Sequence, residues 1–208
     1  KSKKSTVNIF YQFMPITFEI LISTMFRKDL GFLDAIFRHN DIKEFNILIV
    51  NQTTEDKLLS SEYSNIKVIN SFERGSPASR NLAIRNASFE VCLMADDDMV
   101  YQPNLKQKIE SAYEQFPESD MISFQAVDEH NKPYTAYYPE GIHNKKTLMK
   151  IFTCVISFKR DVFKNNQVYF NHYFGVGSVF KGATEYVFLR NAYDIGLKMR
   201  HMAQSIVI

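Results

Sequence analysis

Three consecutive aspartates, Asp96 to Asp98, follow the apolar segment Glu90–Met94. Their charges repel one another, and aspartate is unfavourable in strands and helices, so a ligand is expected to compensate. A divalent cation fits this role because hard cations prefer carboxylate oxygens. On an extended segment Asp96 and Asp98 share one face and could approach one cation, or a cation and a ribose, whereas Asp97 would bond the backbone or a basic partner. A solvated acidic turn is the alternative interpretation.

Strands and helices alternate along the part of the chain that leads to these aspartates. Apolar runs predict four buried strands: Phe18–Ser23, Phe45–Val50, Ile66–Ile69 and Glu90–Met94. Helical patterns lie between them: Asp29–Arg38, a capped turn at Thr53–Ser60, and a helix with Ser76 as its N-cap, Pro77 at its first position and Leu82, Ala83 and Ala87 on its buried face. The alternation predicts a parallel, doubly wound sheet. Ligands of such sheets bind beyond the carboxyl ends of the strands, where the aspartates lie.

The second half of the chain has a less regular pattern. Two further strands are predicted at Met121–Ala126 and Lys150–Phe158, and a last one within residues 197–208. Helices are predicted at Pro103–Phe116 and from about Thr184 to Ile195. The fold class is therefore α/β, with a mixed second half.

Composition excludes several classes of protein. The net charge of +2 is too small to favour nucleic acid as a partner. Cys92 and Cys154 both lie in apolar segments, which predicts buried thiols and a reducing compartment. No apolar run reaches about 18 residues, so a membrane-spanning helix is not expected. The chain begins "KSKK" without a methionine, which is typical of a fragment or a trimmed protein.

Three segments together resemble family 2 glycosyltransferases. The stretch "RGSPASRNLAIRNASFEVCLMADDDMVYQPN" is similar to the family's central signature, a helix with an Arg-Asn pair, a short strand and a D-x-D motif. The start "FEILISTMFR" resembles the family's first strand with its T-x-x-R turn. The later stretch "FGVGSVFKGATEYVFL" resembles the glycine loop and helix on the acceptor side. The resemblance extends over residues 18–208.

The resemblance implies a GT-A fold, with a mostly parallel central sheet flanked by helices. Residues 18–208 would form a single domain, with a nucleotide-binding half at 18–104 and an acceptor-binding half at 105–208. Residues 1–17 would be an N-terminal extension or linker.

The implied reaction is inverting transfer of a sugar from a nucleotide-diphosphate donor, with UDP-sugar expected, assisted by Mn²⁺ or Mg²⁺. Asp98 would ligate the metal, and Asp96 would contact a metal-bound water or the ribose. By its position in the family's motif, Glu185 would be the general base. It lies in the first turn of its helix, where the dipole favours the ionised carboxylate. A glutamate that only stabilises its helix is the alternative.

The other implied site residues divide between donor and acceptor. The nucleotide-sugar side comprises Thr24, Arg27, Asn51, Arg80, Asp96 and Asp97. Gly175, Gly177 and Thr184 belong to the acceptor side, where the glycines would let the backbone approach a sugar. The sequence departs from the family at two of these positions: Asn51 replaces an aspartate, and Thr184 replaces the first of two acidic residues. The alternative interpretation is that Asn51 and Gln52 only cap their strand end.

The expected acceptor is a saccharide or a lipid-linked saccharide, in the synthesis of a surface polysaccharide. A cytoplasmic location is expected, at the inner face of the membrane if the "KSKK" start contacts anionic lipids. Two other functions remain open: a degenerate domain that binds nucleotide-sugar or glycan without turnover, and a nucleotidyltransferase. The second lacks the expected glycine-rich loop after the first strand.

Overall fold

The structure is a computed structural model, and it describes residues 16–208. The predicted extension at 1–17 falls almost entirely outside these residues. The described part forms one eight-stranded sheet with the strand order β3-β2-β1-β4-β7-β5-β8-β6. Its strands are β1 Phe18–Met25, β2 Asn46–Gln52, β3 Ile66–Ser71, β4 Val91–Asp96, β5 Met121–Ala126, β6 Gly141–Ile142, β7 Ile156–Lys159 and β8 Met199–Val207.

In residues 16–208 five α-helices connect and flank the strands. They are α1 Phe32–Ile36, α2 Ser76–Asn86, α3 Leu105–Gln115, α4 Arg160–Asn165 and α5 Thr184–Asp194. Three 3₁₀ turns lie at Ile42–Glu44, Thr147–Lys150 and Thr153–Val155. Within residues 16–208 no helix is both long and apolar enough to cross a bilayer.

Strand directions bring most carboxyl ends to one edge of the sheet. β1 pairs in parallel with β2 and β4, β2 pairs in parallel with β3, and β5 pairs in parallel with β8. β7 lies antiparallel between β4 and β5, so β5 runs in the same direction as β4. The predicted mostly parallel α/β sheet is therefore confirmed. The edge where β1 to β5 and β8 end is called the active edge below.

Buried apolar side chains explain why the central strands form. Ile20, Leu21 and Ile22 in β1 are fully buried, as are Leu93 and Met94 in β4. Strands covered on both faces need such continuous apolar runs. Cys92 is buried in β4, Cys154 is partly buried, and both cysteines are free thiols.

Helix α2 joins the two halves of the domain. Asn81 is fully buried and its amide makes two bonds of 2.8 Å with the backbone of Phe170, one from its Nδ2 and one to its Oδ1. The helix begins at Ser76, but the predicted N-cap was wrong: Gly75 occupies that position with φ +112°, and its carbonyl accepts from the N–H groups of Ala78 and Ser79. Of its predicted buried face, Ala83 is buried and Leu82 only partly so.

Two predicted elements differ from the structure. Thr53–Ser60 is a non-helical turn, closed by bonds from Lys57 N to Thr54 O and from Thr53 Oγ1 to Lys57 O. The predicted strand Lys150–Phe158 is instead a 3₁₀ turn at Thr153–Val155 followed by β7. The apolar composition of Lys150–Phe158 is typical of a strand. However, β7 pairs with β4 only through Val91–Leu93, so the residues before β7 leave the sheet at the active edge.

Two histidines lie in a buried hydrogen-bond chain beside β8. Ser123 Oγ lies 2.9 Å from both His143 Nε2 and His201 Nδ1. Thr147 Oγ1 donates to a backbone carbonyl, so it must accept from His143 Nδ1, 2.9 Å away. His143 Nε2 then accepts the serine proton, and His201 donates to Ser123 through Nδ1 and accepts from the Gln125 amide through Nε2. The chain is complete only when both rings are neutral.

We therefore expect the protein to lose stability in mild acid. Burial lowers the pKa of His143 from 6.5 to about 3, and the nearby His201 adds to this effect. Burial also lowers the pKa of His201, although the negative charge of Glu140 opposes the change. Both rings stay neutral in the folded protein, while the unfolded chain takes up protons below pH 6.5. The contribution of these neutral histidines to the free energy of unfolding is thus fully present above pH 6.5 and is lost as the pH drops from 6.5 towards 3. For His143 the loss at pH 5.5 is about 1.4 kcal/mol.

Urea unfolding at pH 7.5 and 5.5 measures this loss. His143→Gln should reduce the difference between the free energies of unfolding measured at the two pH values. The matched change His39→Gln, at an exposed histidine, should leave that difference as it is in wild type. An identical difference in wild type and His143→Gln would contradict the prediction.

Candidate active site

The three aspartates end β4 at the active edge, and their side chains take separate directions. Asp97 accepts a hydrogen bond from the Thr24 hydroxyl, and its Oδ2 lies 2.9 Å from Arg27 Nε and 2.8 Å from Arg27 Nη2. Thr24 and Arg27 both belong to the end of β1 and the turn after it. Asp97 therefore connects β4 to that turn.

Asn51 fixes the same turn from the end of β2. It is fully buried, and its amide nitrogen donates to Arg27 O and Asn70 Oδ1, each at 3.1 Å. Its oxygen accepts from Arg27 N, also at 3.1 Å. Both amide hydrogens are used within the protein, so this geometry supports the strand-end cap rather than a contact with a nucleobase.

Asp98 is the open carboxylate of the three. It is exposed and makes no hydrogen bond or ion pair with any of residues 16–208. It borders a cleft of about 590 Å³. The other residues lining this cleft are Arg38, Val100, Val127, Asp128, Glu129, Tyr134 and Ile208.

The carboxylates at the end of β4 suit a cation that is shared with a phosphate, and of the three aspartates Asp98 lines the cleft. Across the described chain no group of three or more His, Cys, Asp or Glu side chains is arranged to hold a metal ion. Mg²⁺ is commonly held by one or two carboxylates together with substrate phosphates. Asp98, with Asp96 two residues before it, could supply such carboxylates.

Arg80 lies between two carboxylates that are distant in sequence. Its Nη2 lies 3.0 Å from Asp96 Oδ1 and its Nη1 lies 3.1 Å from Glu185 Oε1. The residue is 8% exposed, and its guanidinium also lies 5.4 Å from the centre of the Phe170 ring. One buried cation thus holds the end of β4 against the start of α5.

Burial raises the pKa of Asp96 above its ordinary value. The positive charge and hydrogen bond of Arg80 oppose this rise, while the charges of Asp98 and Glu185 add to it. Arg80 therefore favours the ionised form of Asp96 against the effect of burial.

Glu185 is the second residue of α5, which begins at Thr184 after the N-cap Ala183, whose φ is +60°. Its Oε1 accepts hydrogen bonds from Arg80 and from the hydroxyl of Thr153. Thr153 was not among the predicted site residues. Its segment had the composition of a strand, and nothing in the sequence pairs residue 153 with residue 185.

The acceptor-side glycines pack against the start of α2. A Cβ added to Gly175 would lie 2.7 Å from Thr184 Oγ1 and 2.8 Å from Ser76 Oγ, at φ +108°. A Cβ on Gly177 would lie 3.3 Å from the Cα of Gly75, at φ +85°. Neighbouring protein atoms occupy the place where a side chain would be. This packing alone explains why both positions are glycine, and a bound sugar is not needed to explain it. Thr184 is buried at the same contact, at 5% exposure.

Three buried polar atoms near the active edge have no hydrogen-bond partner within the part of the chain that the structure describes. They are Ser23 Oγ, Gln52 Oε1 and Arg80 Nε. Ser23 is the register neighbour of Asp96, and Gln52 donates to Ser79 Oγ in α2 at 3.2 Å. All three therefore lie on the face of the sheet that α2 covers.

Comparisons with known proteins identify the family and the fold. The family model described as "Glycosyl transferase family 2" matches residues 30–178, well over half of the chain. No curated protein sequence matches significantly.

Solved structures of S. aureus TarS share the fold. TarS 1–349 is 18% identical with a TM-score of 0.63, and the match covers 92% of this chain and 60% of TarS 1–349. Its complex with UDP-GlcNAc is 18% identical with a TM-score of 0.66, covering 92% and 58%, and its complex with UDP is 16% identical with a TM-score of 0.66, covering 92% and 60%. The match thus covers about three-fifths of TarS 1–349 and 36% of the longer TarS chain. The predicted GT-A fold is confirmed, and the chain belongs to glycosyl transferase family 2.

Proposed function

We propose that this domain transfers a sugar from a nucleoside-diphosphate donor, a UDP-sugar, to an acceptor hydroxyl with inversion at the anomeric carbon. The observation that carries the proposal is the Arg80 bridge, which sets the candidate base Glu185 beside the aspartates of β4. TarS, which shares the fold, has been crystallised with UDP-GlcNAc and with UDP. The family match supports the same class of donor.

The donor is proposed to bind at the active edge, next to Asp96 and Asp98. The buried, unpartnered atoms Ser23 Oγ and Gln52 Oε1 support a polar ligand on the side that α2 covers. Asp98, with Asp96, would hold Mg²⁺ or Mn²⁺, and this cation would stabilise the charge that grows on the departing diphosphate.

Glu185 is proposed to act on the acceptor. Its carboxylate takes the proton of the attacking hydroxyl, whose oxygen forms a bond to the anomeric carbon. The bond from that carbon to the diphosphate oxygen breaks on the opposite face, and its electron pair leaves with the diphosphate. Attack from the opposite face accounts for the inversion.

A saccharide or lipid-linked saccharide is the proposed acceptor, in polysaccharide synthesis at the cytoplasmic face of a membrane. Supporting this, the loop before α5 exposes four apolar or aromatic side chains near Glu185. They are Tyr173, Val176, Val179 and Phe180. Such side chains stack on sugar rings and contact lipid surfaces.

Thermal unfolding with UDP tests the role of Asp98. With Mn²⁺ and UDP at about 100 times its Kd we expect the wild-type Tm to rise by about 5–10 °C. Asp98→Ala should lose the Mn²⁺-dependent part of this rise, because the only open carboxylate of the aspartate run is gone. Glu129→Ala is the matched control, since Glu129 lines the same cleft and should leave the rise intact. A full Mn²⁺-dependent rise in Asp98→Ala would refute the metal assignment.

A further inference from the structure

Thr153 is a buried residue whose hydroxyl has one partner, the candidate base. It begins the 3₁₀ turn Thr153–Val155, which precedes β7 at the active edge, and it is 3% exposed. Its Oγ1 donates to Glu185 Oε1. The preceding residue, Phe152, packs edge-to-face on Tyr134, whose side chain lines the Asp98 cleft, with ring centres 5.2 Å apart. Thr153 thus lies between the wall of that cleft and Glu185.

The two protein donors to Glu185 share a single oxygen. Arg80 Nη1 and Thr153 Oγ1 both bond Oε1, whereas no hydrogen bond from residues 16–208 reaches Oε2. A carboxylate accepts through both oxygens, so this arrangement anchors one and leaves the other open. The open oxygen is the one that can receive a proton from a ligand.

Threonine suits such an anchoring role better than a flexible side chain. Its hydroxyl carries one proton, which is committed to the carboxylate. Its branched Cβ restricts χ1, so the donor stays in one direction. A hydrogen bond to a charged acceptor is also stronger than one between neutral groups.

We propose that Thr153 is a positioning residue that fixes the carboxylate plane of Glu185 and directs Oε2 towards the acceptor hydroxyl. The proposal rests on the proposed function, in which Glu185 is the general base. A purely structural alternative is that the hydroxyl only satisfies a buried carboxylate. The two differ in what they predict for turnover by the folded enzyme.

The experiment compares sugar-transfer kinetics of Thr153→Val and Thr153→Ser with wild type across pH. Valine keeps the shape of threonine and removes the hydroxyl that donates to Glu185. We therefore expect kcat to fall by about 10-fold or more, with the KM for the sugar nucleotide unchanged. The acidic limb of the pH–kcat profile should move to higher pH, because a carboxylate that loses a donor is less stabilised in its ionised form. Serine retains the hydroxyl that donates the hydrogen bond, so it should restore both kcat and the wild-type position of the acidic limb.

A double-mutant cycle identifies the partner of Thr153. If Thr153 acts through Glu185, adding Thr153→Val to Glu185→Gln should cause no further loss in kcat. Additive losses would overturn the proposal, as would unchanged kcat and pH profile in a folded Thr153→Val. Wild-type activity in Glu185→Gln alone would instead overturn the proposed function, so the two failures are distinguishable. Should Thr153→Val not fold, Thr153→Ala and the rescue by serine give the same comparison.

Discussion

Replacing Glu185 by glutamine is expected to lower kcat by about 10²–10⁴-fold while donor affinity stays the same. Glutamine has the same shape, and its amide oxygen can still accept from Arg80 and Thr153, but the amide cannot take the proton of the attacking hydroxyl. Steady-state kinetics with a saccharide or lipid-linked acceptor measures kcat. The Kd for UDP in the presence of Mn²⁺ measures the affinity for the nucleotide part of the donor.

The control for this substitution lies on the same helix. Asp194→Asn also converts a carboxylate to an amide in α5, where Asp194 pairs with Arg190 at 2.8 Å on the surface, and we expect wild-type turnover. Loss of UDP binding in Glu185→Gln would show that the residue acts on the donor instead. Binding of sugar nucleotide by wild type without transfer to any acceptor would favour a domain that binds without catalysis.

Replacing Arg80 by methionine is expected to reduce both stability and turnover. The change leaves Asp96 and Glu185 close together without their shared cation, which should lower the free energy of unfolding by about 2 kcal/mol. Without Arg80 the pKa of Asp96, already raised by burial, should rise further. Displacement of Glu185 should lower kcat by about 100-fold. Urea unfolding and steady-state kinetics measure the two effects.

Two variants make this prediction specific. Arg80→Lys retains the charge, but one ammonium group cannot reproduce the planar fork that bonds both carboxylates, so we expect only partial recovery. Arg85→Met removes an exposed arginine from the same helix, whose guanidinium lies 4.9 Å from the centre of the Tyr169 ring, and should leave turnover unchanged. Equal effects of Arg80→Met and Arg85→Met would contradict a special role for the bridge.

Local patterns were sufficient to predict the donor half of the fold. The apolar runs of β1, β2 and β4 are largely buried strands, and the partly buried β3 lies at the edge of the sheet. Alternation alone therefore predicted this part of the sheet and placed Asp96 at its edge. The position of Glu185 came from family resemblance, because no periodicity relates it to β4. The resemblance placed Arg80 on the nucleotide-sugar side, and in the structure it bonds both Asp96 and Glu185.

The remaining features depend on tertiary contacts that sequence patterns do not carry. Thr153 reaches Glu185 only because the segment before β7 leaves the sheet, which its strand-like composition hides. The role of Asn51 was left open for a similar reason: an amide at a strand end suits a ligand and a cap equally. Gly175 was assigned to the acceptor side, but a glycine in a loop equally suits a close contact within the protein. In each case burial supports the protein contact.

The close approach of Gly177 to Gly75 limits how this domain can be re-engineered. Transplanting the loop at 172–182 from another family member would vary the surface that is proposed to contact the acceptor. Any side chain brought to position 175 would collide with Ser76 and Thr184, and a rigid residue at 177 would press on the helix that carries Arg80. A chimera must therefore keep both glycines, and diversity is best introduced at the outward-facing positions 173, 176, 179 and 180.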